Sequence, residues 1–527
     1  MAKTLNDVPP EMLWEIMAFL DARTLILSSS VCRLWNEIVK SSPGLQYTIE
    51  LWAEGMVRGP SGTLTRAETL EMLRERRRAW RNMEWKSTTV AEIESLQVCR
   101  AYELVSGIFA QQQTGPEFVA LSLSRIVQDA ESARSDYPFG IDPLDFQDFA
   151  VDPTLDLLVI VYVLQGDLAH VECRTLSTKQ VHPLAAHSSI VFPHPHDPGM
   201  LLSIGIADDI VAVFFLDPAE LILYNWRLGT IISIYVRPEF RLFLLVFILT
   251  QKQPALEPLL LPIQDFHLLS PRSYILARAN EDENRSGQIE IFTFDGDSPN
   301  APKRVATLEL PELASRGLIA SINVQMGPFC ANPNPNTPFS KANERRICMF
   351  LIRYNLDVNL DVWARLFVHS SWLERYTLPS VRGDNGTEPT IVPWDEWGPL
   401  NSRMLAGDDH RWIRQVHGER AALPCQNKHS LLVLDFGVIP RRAESHLLSE
   451  KSSGSPGSAT MLEVEPSTMP NEHEVFVEEV TTSLPYRRTI RSVEKRHDLF
   501  LIDEDRIIGM NLEDDTAVRQ EMTVYTL

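Results

Sequence analysis

From about residue 98 onward the chain breaks into short runs rich in valine, isoleucine, leucine and aromatics, divided by Asp, Pro, Gly and Asn. Residues 102–109, 117–123, 156–163, 171–176, 200–204, 209–216 and 220–226 begin the series, and 274–277, 288–294, 347–352, 366–369, 431–436, 499–502 and 506–510 continue it. Many short strands with frequent turn signals restrict the fold to an all-β sandwich or a propeller. A weak repeat chooses between them. An aspartate, an apolar run, a loop and a polar-alternating strand recur from Asp152, from Ala207-Asp-Asp, from Leu268 and from Ser492. The first three copies are spaced by roughly fifty to sixty residues, close to one four-stranded blade. The expected architecture is a β-propeller of about six or seven blades over residues 98–527, with a two-sheet β-sandwich as the alternative. The last run, residues 521–527, is expected to pair with a strand near Tyr102, which leaves the ring without a free edge.

The first fifty residues have a different period. Pro9 and Pro10 suit a helix entry, because proline fixes φ and its missing N–H is not needed in the first turn. Asp7 is a candidate cap. Met12, Leu13, Ile16, Met17 and Leu20 follow at spacings of three and four, one apolar stripe on a helix. Asp21 is placed to cap a second helix carrying Leu25, Ile26 and Leu27. A third runs through Val31, Leu34, Trp35, Ile38 and Val39, and Pro43-Gly44 is expected to stop it. So small a unit cannot bury all of its apolar surface alone, so the surplus needs a partner.

These residues also carry a family pattern. Val8-Pro9-Pro10-Glu11-Met12-Leu13, Ile16-Met17, Leu20, Leu25 and Val31-Cys32-Arg33-Leu34-Trp35 resemble an F-box, with Val8, Met12 and Met17 standing where leucine or phenylalanine is usual. Such swaps between apolar groups of similar size cost little. The resemblance implies docking onto the Skp-type adaptor of a cullin-based ubiquitin ligase, through Val8, Pro9, Met12, Leu13, Ile16, Met17, Leu20, Leu25, Val31, Cys32 and Trp35. Residues 45–51 and Ala79-Trp-Arg-Asn-Met-Glu-Trp85 resemble the linker of a large set of fungal F-box proteins, and Tyr224-Asn-Trp-Arg-Leu-Gly229 resembles the third strand and following turn of WD-type blades. The expected fold is thus α+β and multidomain: an F-box over residues 1–51, a helical linker over 52–97, and the β-rich substrate-binding region over 98–527. A disordered insertion is expected at about 441–474, around Ser452-Ser-Gly-Ser-Pro-Gly-Ser458.

In the linker, Thr65 or Thr63 caps a helix from about residue 66 to 83. Its basic run, Arg74 to Arg81, invites a nucleic-acid or nuclear-localisation reading. The preferred reading is a solvated face paired with Glu68, Glu71 and Glu75 at helical spacing. The net charge of −21 and pI near 5.1 also oppose phosphate binding. Six cysteines without a C-x-x-C pair read as reduced and intracellular, cytoplasmic or nuclear. No signal peptide opens the sequence. The apolar run at residues 242–249 is too short to span a membrane and reads as a buried strand.

Chemistry-bearing motifs are sparse. His182, His187, His194, His196 and Asp197 are a loose metal-like cluster, read as solvated loop. Asp408-Asp-His-Arg-Trp-Ile-Arg-Gln-Val-His417 has no glycine elbow and reads as strand and loop. There is no P-loop, G-x-G-x-x-G or H-E-x-x-H. No catalytic residue, metal or cofactor is expected. The expected role is a non-catalytic substrate receptor that holds a protein partner near the transfer machinery, with an F-box scaffold lacking a degradative role as the alternative.

Overall fold

In a computed structural model of the chain, the residues described are 8–60, 64–96, 98–99, 101–113, 117–123, 134–138, 146–164, 168–193, 202–216, 220–236, 255–258, 263–279, 286–315, 317–334, 337–357, 360–379, 388–408, 414–438, 458–512 and 518–527. Four short helices open it: α1 (Pro10–Met17), α2 (Ala22–Ser29), α3 (Arg33–Ser41) and α4 (Pro43–Ala53). The Asp21 side chain accepts from Thr24 N–H and caps α2, as its position predicts. Helix α3 ends at Ser41, just before the expected stop at Pro43-Gly44, and the same two residues also begin α4. Ser42 caps α4 by accepting from Leu45 N–H, and Pro43 occupies the first turn, where no donor is needed. After α4, Met56–Arg58 pairs antiparallel with Phe339–Lys341, a strand from the far side of the sequence. Helix α5 (Arg66–Asn82) starts with a capping box between Thr65 and Glu68 and ends at Met83 in the left-handed conformation.

The rest is a propeller of seven blades, each a sheet of four or five strands. They occupy residues 101–138, 146–193, 202–258, 263–309, 318–406, 416–492 and 499–526 in order. Buried apolar side chains fill each seam between neighbouring blades. Phe118, Phe149 and Ile160 lie between blades one and two, and Phe215, Val171 and Trp226 between two and three. The sandwich alternative is excluded, because these sheets follow one another around a ring. The recurring aspartates mark the turns between first and second strands: Asp156 and Asp208 both sit at φ +53° there. The Tyr224–Gly229 phrase is the end of a third strand and the turn after it, with Gly229 at φ +73°.

The ring closes at a different place from the one expected. The final strand, Arg519–Thr526, pairs antiparallel with Ser87–Glu94, not with a strand near Tyr102. Tyr102 lies in Ala101–Val105, the first strand of blade one, which is committed to Ile108–Gln112. Ser87–Glu94 therefore becomes the outer strand of blade seven, although it falls within the stretch expected to be helical linker. Of the stretch expected to be a disordered insertion, residues 441–457 lie outside the described residues, while Ser458–Glu463 is a strand on Tyr486–Ser492 of blade six. The run at 242–249 and the residues His194, His196, Asp197 and Ser455 also lie outside the described residues.

Candidate functional site

The helical unit builds its own core. Leu13 and Met17 of α1 pack with Leu25 of α2, Ile38 and Val39 of α3, and Leu45, Ile49 and Ala53 of α4. No propeller residue enters this cluster. Val8, Leu20 and Trp35 are half-buried at its edge, and Cys32 is half-buried at the N-cap of α3. The sequence-predicted set therefore divides. Leu13, Met17 and Leu25 face inward and hold the unit together. Pro9, Met12, Ile16 and Val31 face outward, with Met12 55%, Ile16 51% and Val31 66% exposed.

Three exposed apolar residues were not in that set. Phe19 is 91% exposed, and Trp14 and Leu27 are also open to solvent. Met12, Ile16 and Phe19 follow one another at spacings of four and three along α1 and the turn after it. Leu27 of α2 and Val31, in the turn beyond its end, are four apart. The indole N–H of Trp14 donates to Ser42 Oγ at 2.6 Å, which fixes the ring beside the line. An apolar ridge of this kind on an otherwise finished core marks an interaction surface.

Below the ridge, α4 and α5 fasten the helical unit to the propeller. Tyr47, Met56, Leu70, Leu73 and Phe339 form an apolar contact, and Ala79, Trp80 and Met83 reach the seam between blades six and seven. Only part of the basic run is a solvated face: Arg78 is exposed, but two of its neighbours are not. Arg76 and Arg77 are buried, and their partners are not the glutamates of their own helix. Arg76 Nε donates to Asp505 Oδ1 at 2.7 Å and its Nη2 to the Glu504 carbonyl at 2.6 Å, both in blade seven. Arg77 Nε donates to Glu54 Oε1 at 2.6 Å, and its Nη2 pairs with Glu50. Glu54 also meets Arg420 of blade six at 3.5 Å, and Arg420 meets Asp435 at 3.1 Å. Lys341 Nζ donates to the Glu54 carbonyl at 2.7 Å, and burial lowers that ammonium to about 8. Isolated charges could not persist in such surroundings; paired ones can.

The propeller axis is polar but shows no catalytic arrangement among the described residues. Arg414, just before blade six, forks onto Glu103 of blade one, with Nη2 to Oε2 at 2.6 Å. Burial pushes Asp148 up to about 8 and His267 down to about 3. A cavity of about 130 Å³ under the blade-five loop is lined by Ser106, Cys330, Lys341, His417 and Glu504. Burial raises the Cys330 thiol to about 12. His182 is buried edge-on to Trp226 at 4.8 Å and its Nε2 lies 3.0 Å from the Leu155 carbonyl, so it is a packing residue; His187 is exposed. Among the described residues no three histidines, cysteines or acids come together as a metal site, and no helix is long and apolar enough to cross a membrane. In the Asp408–His417 stretch, Asp408 pairs with Arg365 and Val416–His417 is the short first strand of blade six; residues 409–413 lie outside the described ones.

The family model described as F-box-like matches residues 5–47. No curated protein matches the chain. Solved structures similar to it include Hsv2 of Kluyveromyces marxianus, at 10% identity over 50% of this chain and 70% of that one with a TM-score of 0.26. The β-propeller domain of Cps50 (Swd1) from Myceliophthora thermophila is 8% identical over 73% and 99%, with a TM-score of 0.26. The computationally designed Ika8 protein is 8% identical over 83% and 98%, with a TM-score of 0.30. Likeness at this level carries no functional argument. The chain therefore carries an F-box-like domain over residues 5–47, followed by a seven-bladed β-propeller.

Proposed function

We propose that the chain is the substrate-recognition subunit of a cullin-based ubiquitin ligase, working in the cytoplasm or nucleus. The exposed ridge docks on a Skp-type adaptor, and the propeller holds a protein substrate. F-box domains generally bind such adaptors, and an F-box joined to a propeller fits a non-catalytic receptor. The observation that carries the reading is the division of the apolar residues: a complete internal core, and a separate ridge of Met12, Ile16, Phe19, Leu27 and Val31 left uncovered by the propeller. Burying one large apolar side chain stabilises by about 1.5–3 kcal/mol. Five of them offset an association cost of about 4–15 kcal/mol only when most are fully covered. The test is co-purification with a Skp-type adaptor. Wild type is expected to retain it, and an Ile16→Asp, Phe19→Asp double variant to lose it while keeping its circular dichroism. A wild-type chain that ignores the adaptor overturns the proposal.

A further inference from the structure

The contact between the helical unit and the propeller is unusual in its chemistry. Apolar contacts hold two bodies together without fixing their angle, because the hydrophobic effect has no direction. Here a line of buried charges crosses the same contact. Asp505 pairs with Arg76; Glu50 and Glu54 both pair with Arg77; Glu54 continues to Arg420, and Arg420 to Asp435. Glu50, Glu54, Arg76, Arg77 and Arg420 are all less than a tenth exposed. The line starts in blade seven, runs through α5 and α4, and ends in blade six. Glu54 is thereby held from two sides, by Arg77 of α5 and by Arg420 of blade six.

Two further features tighten the same place. Met56–Arg58 and Phe339–Lys341 share a ladder, with Gly59 N–H donating to the Pro338 carbonyl at 2.9 Å. A side chain at Gly59 would strike the Thr337 carbonyl at 2.2 Å, so the strap lies directly on the blade-five loop. Gly55, at φ +59°, sets the turn into this strap, and a Cβ there would meet Arg345 at 3.0 Å and Glu419 at 3.1 Å.

We infer that Arg77 is a positioning residue: with Glu54 and Arg420 it fixes the angle between the exposed ridge and the propeller, so that both move as one rigid body. Arg77 holds the Glu54 carboxylate towards Arg420, so a tilt of α4 against blade six gives up the contact between Glu54 and Arg420. The inference deepens the proposed function, since a fixed angle sets where a bound substrate stands relative to the adaptor. Its test is independent of that function.

The experiment uses the full chain with paired fluorophores on exposed Glu37 of α3 and exposed Glu494 of the propeller, attached through encoded azides because the chain has six native cysteines. Wild type is expected to give one narrow distance distribution. Arg77→Ala is expected to broaden it at least twofold, with adaptor affinity changed less than twofold, since the ridge is untouched. Arg77→Lys, which keeps the charge but loses the fork, is expected to lie between the two. If Arg77→Ala does not fold, Glu54→Gln, of equal size and uncharged, is measured in its place. A distribution that stays narrow in every folded variant overturns the inference. Failure of wild type to bind the adaptor overturns the proposed function and leaves this measurement intact.

Discussion

Helix α5 is more than a connector, and Trp80 tests this directly. Its indole is 4% exposed and packs with Ala422, Val433, Phe500, Ile507 and Tyr525, from blades six and seven. The Arg420 guanidinium lies 4.6 Å from the ring centre. Truncating a buried tryptophan to alanine costs about 3–5 kcal/mol through lost burial and the cavity left behind. Loss of the ring under Arg420 adds about 0.5–2 kcal/mol. Trp80→Ala is thus expected to destabilise blades six and seven by about 4–6 kcal/mol, the two ranges being combined conservatively. Trp80→Phe keeps most of the volume and is expected to cost much less. The assay is hydrogen exchange of the intact protein, because a chain of several structural units does not unfold in a single step. Protection should fall in residues 416–438 and 499–510 and persist in blades two and three. A loss below about 1 kcal/mol, or one spread evenly over all blades, refutes the claim that α5 seals this seam.

Other expectations follow from the same contacts. Leu13→Ala should destabilise the helical unit by about 2–5 kcal/mol in thermal unfolding, whereas Phe19→Ala should change stability by under about 0.5 kcal/mol and act on adaptor binding alone. Thr65→Ala removes the capping box of α5 and should cost about 1 kcal/mol in urea denaturation. His497 is held near 4, mainly by burial, against an ordinary value of 6.5. Between those values the unfolded chain binds a proton that the folded one refuses, so stability falls as pH drops from 6.5 towards 4. His497→Gln should flatten that part of a stability–pH curve, and an unchanged slope would show that the histidine is not responsible. Gly59→Ala should loosen the strap at the blade-five loop, seen as faster exchange of the Gly59 and Ala342 amides.

The sequence carried the two architectures but not their junction. The strand runs and the recurring aspartates announced the ring, because strand alternation and turns are local properties. The F-box pattern was legible through Pro9, Leu13, Leu25 and Trp35 for the same reason. Helical spacing did not separate core from ridge. Met12 and Leu13 are neighbours, as are Ile16 and Met17, and one member of each pair points inward. Phe19 lies in the turn after α1, off the expected stripe. The arginine run misled because nearby glutamates at helical spacing offered plausible partners. The real ones come from 23 positions upstream, at Glu54, and 429 downstream, at Asp505. The closing strand was readable in principle, since Val90-Ala91-Glu92-Ile93 alternates outward and inward, but its partner is at the other end of the chain.

That closing strand has a consequence for shortened forms of the protein. Ser87–Glu94 covers the outer edge of Arg519–Thr526, so the last blade is completed by residues encoded near the start. During synthesis Ser87–Glu94 stays unpaired until Arg519–Thr526 has left the ribosome. A product initiated downstream of Glu94 would lack the outer strand of blade seven and present a bare β-edge along Arg519–Thr526, prone to aggregate and to be degraded. The N-terminal helices therefore cannot be shed to leave a free-standing receptor unless the cut falls upstream of residue 87.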